Sequence, residues 1–239
     1  MQNKKKLSIQ NVSFAFKKQE SPFFENISSH FNTGEIHFIR GANGVGKSVF
    51  FNILRGDVKP EALCSGTFNF DTITIQVSEK KPFTPAYKNL FAFVHQDCDS
   101  MLAGQLTVEQ NLRCANIPKY PRFSRLPEYR DLGNFMDTFG IDAAKPVHLL
   151  SGGQRQIVAI MMALQKNARI ILLDEPTAAL DEKNADMVIQ FLETLAKTTE
   201  VTALIICHDK ELVMRYAHDA YYTISFREGK TRTLEKIML

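Results

Sequence analysis

Apolar residues fall at every second position through Leu7 and Ile9, then Val12, Phe14 and Phe16, with one break in phase at Asn11. That alternation predicts a half-buried strand over Leu7–Phe16. A short apolar run at Glu35–Arg40 predicts a buried strand, followed by a glycine-rich loop and an apolar helix over Lys47–Arg55. Phe68, Phe70, Ile73, Ile75 and Val77 mark two strand-like stretches within Gly66–Val77, and Phe91–Gln96 reads as another strand. From Asp97 to Leu150 helical patterns dominate. Thr107 with Gln110 fits a capping box that opens a helix. Ile117–Pro127 carries three prolines (Pro118, Pro121 and Pro127) and reads as a loop, whereas Arg130–Phe139 is amphipathic at helical spacing. Strands and helices then alternate again. Ser151 with Gln154 caps a helix running toward Gln165, and Ile170–Leu173 is a short buried strand ending in acid. Glu182–Lys197 is a helix with Asp181 as N-cap, Val201–Cys207 a strand, Lys210–Tyr216 a helix and Ala220–Phe226 a strand. This order predicts an α/β fold with a mostly parallel sheet flanked by helices.

The 239 residues suit one large domain, or one domain carrying a smaller subdomain. Hydrophobic residues make up 44% and charged residues 23%, so there is ample material for a core. A net charge of +3 is too small to argue for nucleic acid as a partner. Cys64, Cys98, Cys114 and Cys207 show neither a C-x-x-C pair nor zinc spacing, and read as reduced thiols. The longest clean apolar run, Ile157–Leu164, falls far short of the ~20 residues a membrane helix needs. The chain is therefore not expected to cross a bilayer by itself.

Gly41-Ala42-Asn43-Gly44-Val45-Gly46-Lys47-Ser48 matches G-x-x-x-x-G-K-[ST], between a predicted strand and a predicted helix. The glycines let successive backbone N–H groups turn inward toward phosphate oxygens, and the helix start adds its positive dipole end. Lys47 is then expected to reach the β- and γ-phosphates, and Ser48 to offer its hydroxyl to Mg²⁺. Ile170–Leu173 delivers Asp174 and Glu175 at the carboxyl end of a buried strand, the end that faces the ligand crevice in a parallel sheet. Asp174 suits Mg²⁺, held directly or through water, and Glu175 suits the base that polarises an attacking water.

Leu150-Ser151-Gly152-Gly153-Gln154 completes the set. With it the chain resembles the ATP-binding cassette family, whose signature is LSGGQ, and the resemblance spans nearly the whole sequence. It implies a P-loop ATPase fold with an N-terminal antiparallel β subdomain and an inserted helical subdomain. Residues 1–96 and 151–239 would form the core with the β subdomain, and 97–150 the helical insert. It implies a pair of subunits, a homodimer in the simplest case, sandwiching two Mg-ATP head to tail. Ser151 and the signature backbone would then touch ATP held on the other subunit's P-loop. Val49, where the family usually has Thr, completes the nucleotide-binding stretch without its hydroxyl. Phe16 falls where the family stacks an aromatic on adenine. Gln96 resembles the Q-loop glutamine, a Mg²⁺ or water contact. Ala179-Leu180-Asp181 resembles the D-loop, although Ala179 stands where Ser or Gly is common. His208 falls at the switch histidine.

The same resemblance implies a separate transmembrane permease and a position on the cytoplasmic face of the plasma (inner) membrane. Met101, Leu102 and Leu106 are the apolar candidates for a groove receiving a permease helix, or else they fill the subdomain's own core. Leu149–Gln156 with Thr177–Asp181 is similar to a group of importer ATPases that work with an extracytoplasmic binding protein, with aromatic amino acids as a suggested cargo. A soluble cassette without a permease, as in cluster assembly, and an export or lipoprotein-release ATPase remain open alternatives.

Overall fold

The computed structural model describes residues 6–17, 21–59, 62–79, 81–117, 135–166, 168–227 and 231–239. Among these residues the strands are β1 (Lys6–Phe16), β2 (Phe24–Asn32), β3 (Ile36–Arg40), β4 (Ala62–Phe70), β5 (Ile73–Val77), β6 (Phe91–Val94), β7 (Ile170–Asp174), β8 (Thr202–Ile206), β9 (Ala220–Phe226) and β10 (Arg232–Met238). They form one mixed sheet in the order β5-β4-β1-β2-β10-β9-β3-β8-β7-β6. The helices are α1 (Lys47–Leu54), α2 (Pro85–Lys88), α3 (Val108–Ala115), α4 (Phe135–Thr138), α5 (Gly152–Ala163), α6 (Glu182–Thr199) and α7 (Lys210–Tyr216). Pro118–Pro127 of the expected loop and residues 130–134 of the expected amphipathic helix lie outside the described residues.

Strands β9, β3, β8, β7 and β6 run parallel, and the interior residues of β3, β7 and β8 are buried on both faces, as βαβ crossovers require. Ile170 and Leu172 of β7 pack with α1 and the antiparallel strands. Ile171 and Leu173 point the other way, into a core shared with α3, α5, α6 and α7. The antiparallel strands β1, β2, β4 and β5 do not form a sheet of their own. They continue the parallel half, joined to it through β10.

The phase break at Asn11 is a bulge. Asn11 takes φ 51°, the β1–β2 register shifts between Ile9 and Val12, and the Asn11 N–H donates to Ser28 Oγ at 2.9 Å. Both predicted capping boxes form: the Thr107 and Ser151 hydroxyls each accept from the N3 backbone N–H at 3.2 Å, with the N3 glutamine reaching back. Two strands have no counterpart in the sequence reading. In β2, Asn26 at φ 51° sets Phe24 out of phase with Ile27 and Phe31, which hides the alternation. In β10 Leu234 is the one buried side chain, too weak a pattern to register.

Candidate nucleotide-binding site

Four parallel strands deliver the candidate residues at their carboxyl ends, where open α/β sheets bind ligands. β3 leads into Gly41–Ser48, β6 into Gln96, β7 into Asp174 and Glu175, and β8 into His208. Phe23, Asn43, Gly44, Gly46, Lys47, Ser48, Val49, Gln96 and Glu175 line a cleft of about 600 Å³. That is ample for a nucleotide's phosphate chain. Gly41, Ala42 and Val45 belong to the same loop behind the cleft.

Lys47 Nζ donates to the Gly41 carbonyl at 2.9 Å and to the Ala42 carbonyl at 3.0 Å, so the loop curls around its own lysine. Burial holds this ammonium below the ordinary lysine range, partly offset by Glu175 and Asp174. Ser48 Oγ donates to Asp174 Oδ2 at 2.9 Å, which brings a hydroxyl and a carboxylate to one point. Both are hard oxygen donors of the kind Mg²⁺ takes. Glu175 leaves the strand in the left-handed region, φ 52°, a cost of about 1–2 kcal/mol for a non-glycine residue. Its N–H is tied to the Ile206 carbonyl at 3.1 Å. The turn swings its carboxylate into the cleft and onto His208, with Oε1 2.8 Å from Nε2.

Gly46 is a position where a side chain would be strained. It sits at φ 112°, and a Cβ there would meet the Phe23 ring at 2.4 Å. Phe23 is the aromatic residue among those lining the phosphate cleft. Phe16 lies beside it, its ring edge-on to Phe23 at 5.3 Å. The sequence offered only an aromatic doublet, Phe23-Phe24, as a signal.

Leu150–Gln154 is absent from this cleft. The signature opens α5 elsewhere, packed on the start of α6. Ser151 Oγ donates to Asn184 Oδ1 at 3.2 Å, and Asn184 Nδ2 donates to both Asp181 carboxylate oxygens, at 3.0 and 2.9 Å. The Asn184 backbone N–H also donates to Asp181, and this bond holds that carboxyl below the usual range. A Cβ on Gly152 would reach Leu180 at 2.9 Å, and one on Gly153 would reach Asn184 at 2.8 Å. The signature and Ala179-Leu180-Asp181 are therefore one unit, joined by Asn184, which no motif announced. Gly153→Ala is expected to push α6 away and to lower the unfolding free energy by about 1–3 kcal/mol, read from denaturant melts.

Residues 24–178 match the family model described as ABC transporter. The chain belongs to the ABC transporter family. It is an ABC ATPase, with the ATP-binding cassette fold. It is 28% identical to the tyrosine transport ATP-binding protein of Clostridioides difficile (strain R20291), over 97% of each chain. It is 28% identical to the molybdate import ATP-binding protein MolC of Haemophilus influenzae, covering 96% of this chain and 84% of that one. Among solved structures it superposes on cbiO1 of Clostridium perfringens, part of the ABC transporter complex cbiONQ, with a TM-score of 0.74 at 25% identity, covering 96% of this chain and 87% of that one. No helix of this ABC ATPase among the described residues is long and apolar enough to cross a membrane. Its four cysteines are free.

Proposed function

We propose that this ABC ATPase hydrolyses Mg-ATP as a head-to-tail dimer and drives import through a separate membrane permease. The observation that carries this reading is the separation of the signature from the chain's own cleft. The α5 N-terminus, with its dipole and free backbone N–H groups, is built for an anion yet lies outside the cleft of its own P-loop. Leu149, beside it, is 55% exposed, as expected of a surface that a second copy covers. Two copies arranged head to tail would put each signature over the other's cleft.

In this reading Gly41–Val49 cradle the phosphates, Lys47 leaves the two loop carbonyls for phosphate oxygens, and Phe16 faces the base side. Mg²⁺ bound between ATP, Ser48, Asp174 and Gln96 would supply charge stabilisation of the phosphates. Among the described residues no three His, Cys, Asp or Glu side chains converge on one point, so the cation would rely on phosphate oxygens to complete its shell. Glu175, steadied by His208, accepts the proton of the attacking water. Ser151, Gly152, Gly153 and the rest of Leu150–Gln154 hold the partner copy's γ-phosphate, and Ala179–Asp181 crosses the dimer interface.

Residues 97–150 act as the helical subdomain inserted in the core formed by 1–96 and 151–239. Met101 and Leu102 pack against the core with one side and keep the other partly exposed, which suits a docking lip for a permease helix. The likeness to a tyrosine transport protein and a molybdate importer favours an importer of small solutes, with an aromatic amino acid as the first cargo to try, and an extracytoplasmic binding protein as a further partner. The chain would sit peripherally on the cytoplasmic face of the membrane. Tagged wild-type chain, recovered from detergent-solubilised membranes, is expected to bring a multi-span membrane protein with it. Leu102→Glu should lose that protein while its basal ATPase and melting temperature persist. Recovery of the same membrane protein with Leu102→Glu would place the coupling surface elsewhere.

A further inference from the structure

Arg232, the first residue of β10, touches the nucleotide loop from behind. Its guanidinium lies over the Phe23 ring at 3.6 Å from the centroid, with Phe226 at 4.8 Å. Its Nε donates to the Val45 carbonyl at 3.0 Å. Its backbone N–H donates to the Phe23 carbonyl at 3.1 Å, and it pairs in register with Phe24. Arg232 thus stands at the seam where the antiparallel strands meet the parallel half, one residue binding both to the loop.

Val45 C=O and Gly46 N–H belong to one trans unit and point in opposite directions. A donor that holds the carbonyl from behind therefore fixes the N–H toward the front, where Gly46 lines the cleft. The Phe23 edge, against which Gly46 is packed, prevents the loop from sliding. We propose that Arg232, laid on Phe23 and bonded to the Val45 carbonyl, is a positioning residue that presets the Gly46 N–H for a phosphate oxygen. The proposal rests on the reading of the cleft as the ATP site. It adds a residue outside every motif, from the opposite end of the chain.

A loop set in advance binds more tightly because the ordering is already done. Losing a charge-assisted hydrogen bond together with a cation–π contact should weaken Mg-ATP binding about tenfold. The experiment is equilibrium titration with Mg-ATP and with pyrophosphate, plus steady-state ATPase, on wild type, Arg232→Ala, Arg232→Lys and Lys47→Ala, each with a thermal melt. Arg232→Ala is expected to raise Kd and KM for Mg-ATP about tenfold, to weaken pyrophosphate in parallel, and to retain turnover at saturating ATP. Arg232→Lys should recover part of the affinity, because an ammonium reaches the carbonyl but offers no flat face to Phe23. A lowered melting temperature with wild-type KM, in either folded variant, would make Arg232 a mere strut and overturn the proposal. Lys47→Ala separates the two levels. Wild-type ATP affinity in that variant would remove the cleft reading and the proposal with it. Lost affinity in Lys47→Ala beside unchanged affinity in Arg232→Ala would remove the proposal alone.

Discussion

Glu175→Gln is expected to bind ATP and to turn it over at least ~10²-fold more slowly, the scale of losing a general base. The amide keeps the size and the contact with His208 but cannot take a proton from water. The left-handed turn at Glu175 aims this one side chain into the cleft while Asp174 stays on the strand beside Ser48. The two carboxylates are therefore not interchangeable. The phosphates still find Lys47 and the loop N–H groups, so the variant should accumulate as an ATP-bound dimer, visible by size exclusion in Mg-ATP and absent in ADP. His208→Ala should slow turnover less, because it removes the group that steadies the base rather than the base itself. Near-normal turnover in Glu175→Gln would show that another group activates the water.

Lys47→Ala and Ser151→Arg are each expected to abolish measurable hydrolysis, for different reasons. Lys47 is 7% exposed and bonded within the loop, so its loss removes a cation from the cradle and empties its place. Charge-assisted contacts of this kind are worth about 1.5–3 kcal/mol each, so ATP affinity should fall roughly 10- to 100-fold before any effect on chemistry. Ser151→Arg acts at a distance from that loop. It removes an N-cap, costing about 1 kcal/mol of stability, breaks the contact with Asn184, and places a long side chain where the partner's phosphate should sit. Ser151→Arg should still bind ATP with its own intact loop. Titration with Mg-ATP distinguishes the two variants: affinity is lost in Lys47→Ala and kept in Ser151→Arg.

Strands β3, β7 and β8 were legible because their interiors are buried on both faces. β7 is a bare apolar run ending in acid, and no other element type of that length fits. The signature and α3 helix starts were legible because a capping box is a local, four-residue device. What the sequence hid is what depends on packing between distant segments. β2 was missed because its bulge at Asn26 sets its first apolar residue out of phase with the rest. Phe23 was not singled out, because its place on the cleft wall depends on packing against Gly46. Arg232 and Asn184 carry no motif at all. Their meaning lies in a carbonyl on another strand's loop and a hydroxyl on another helix. The antiparallel arm was expected, but its continuity with the parallel sheet rests on β10, which too few buried residues mark.

In the proposed dimer one working site takes its P-loop from one copy and its signature from another. This sharing is tested by mixing Lys47→Ala chains with Ser151→Arg chains and measuring ATPase activity. A mixed dimer holds one site with both defects and one site with neither. The inactive parents should regain activity on mixing, up to about a quarter of the wild-type rate, if subunits exchange freely and a single site can fire. Activity that stays at the level of the separate parents, while cross-linking shows that mixed dimers have formed, would contradict the shared site.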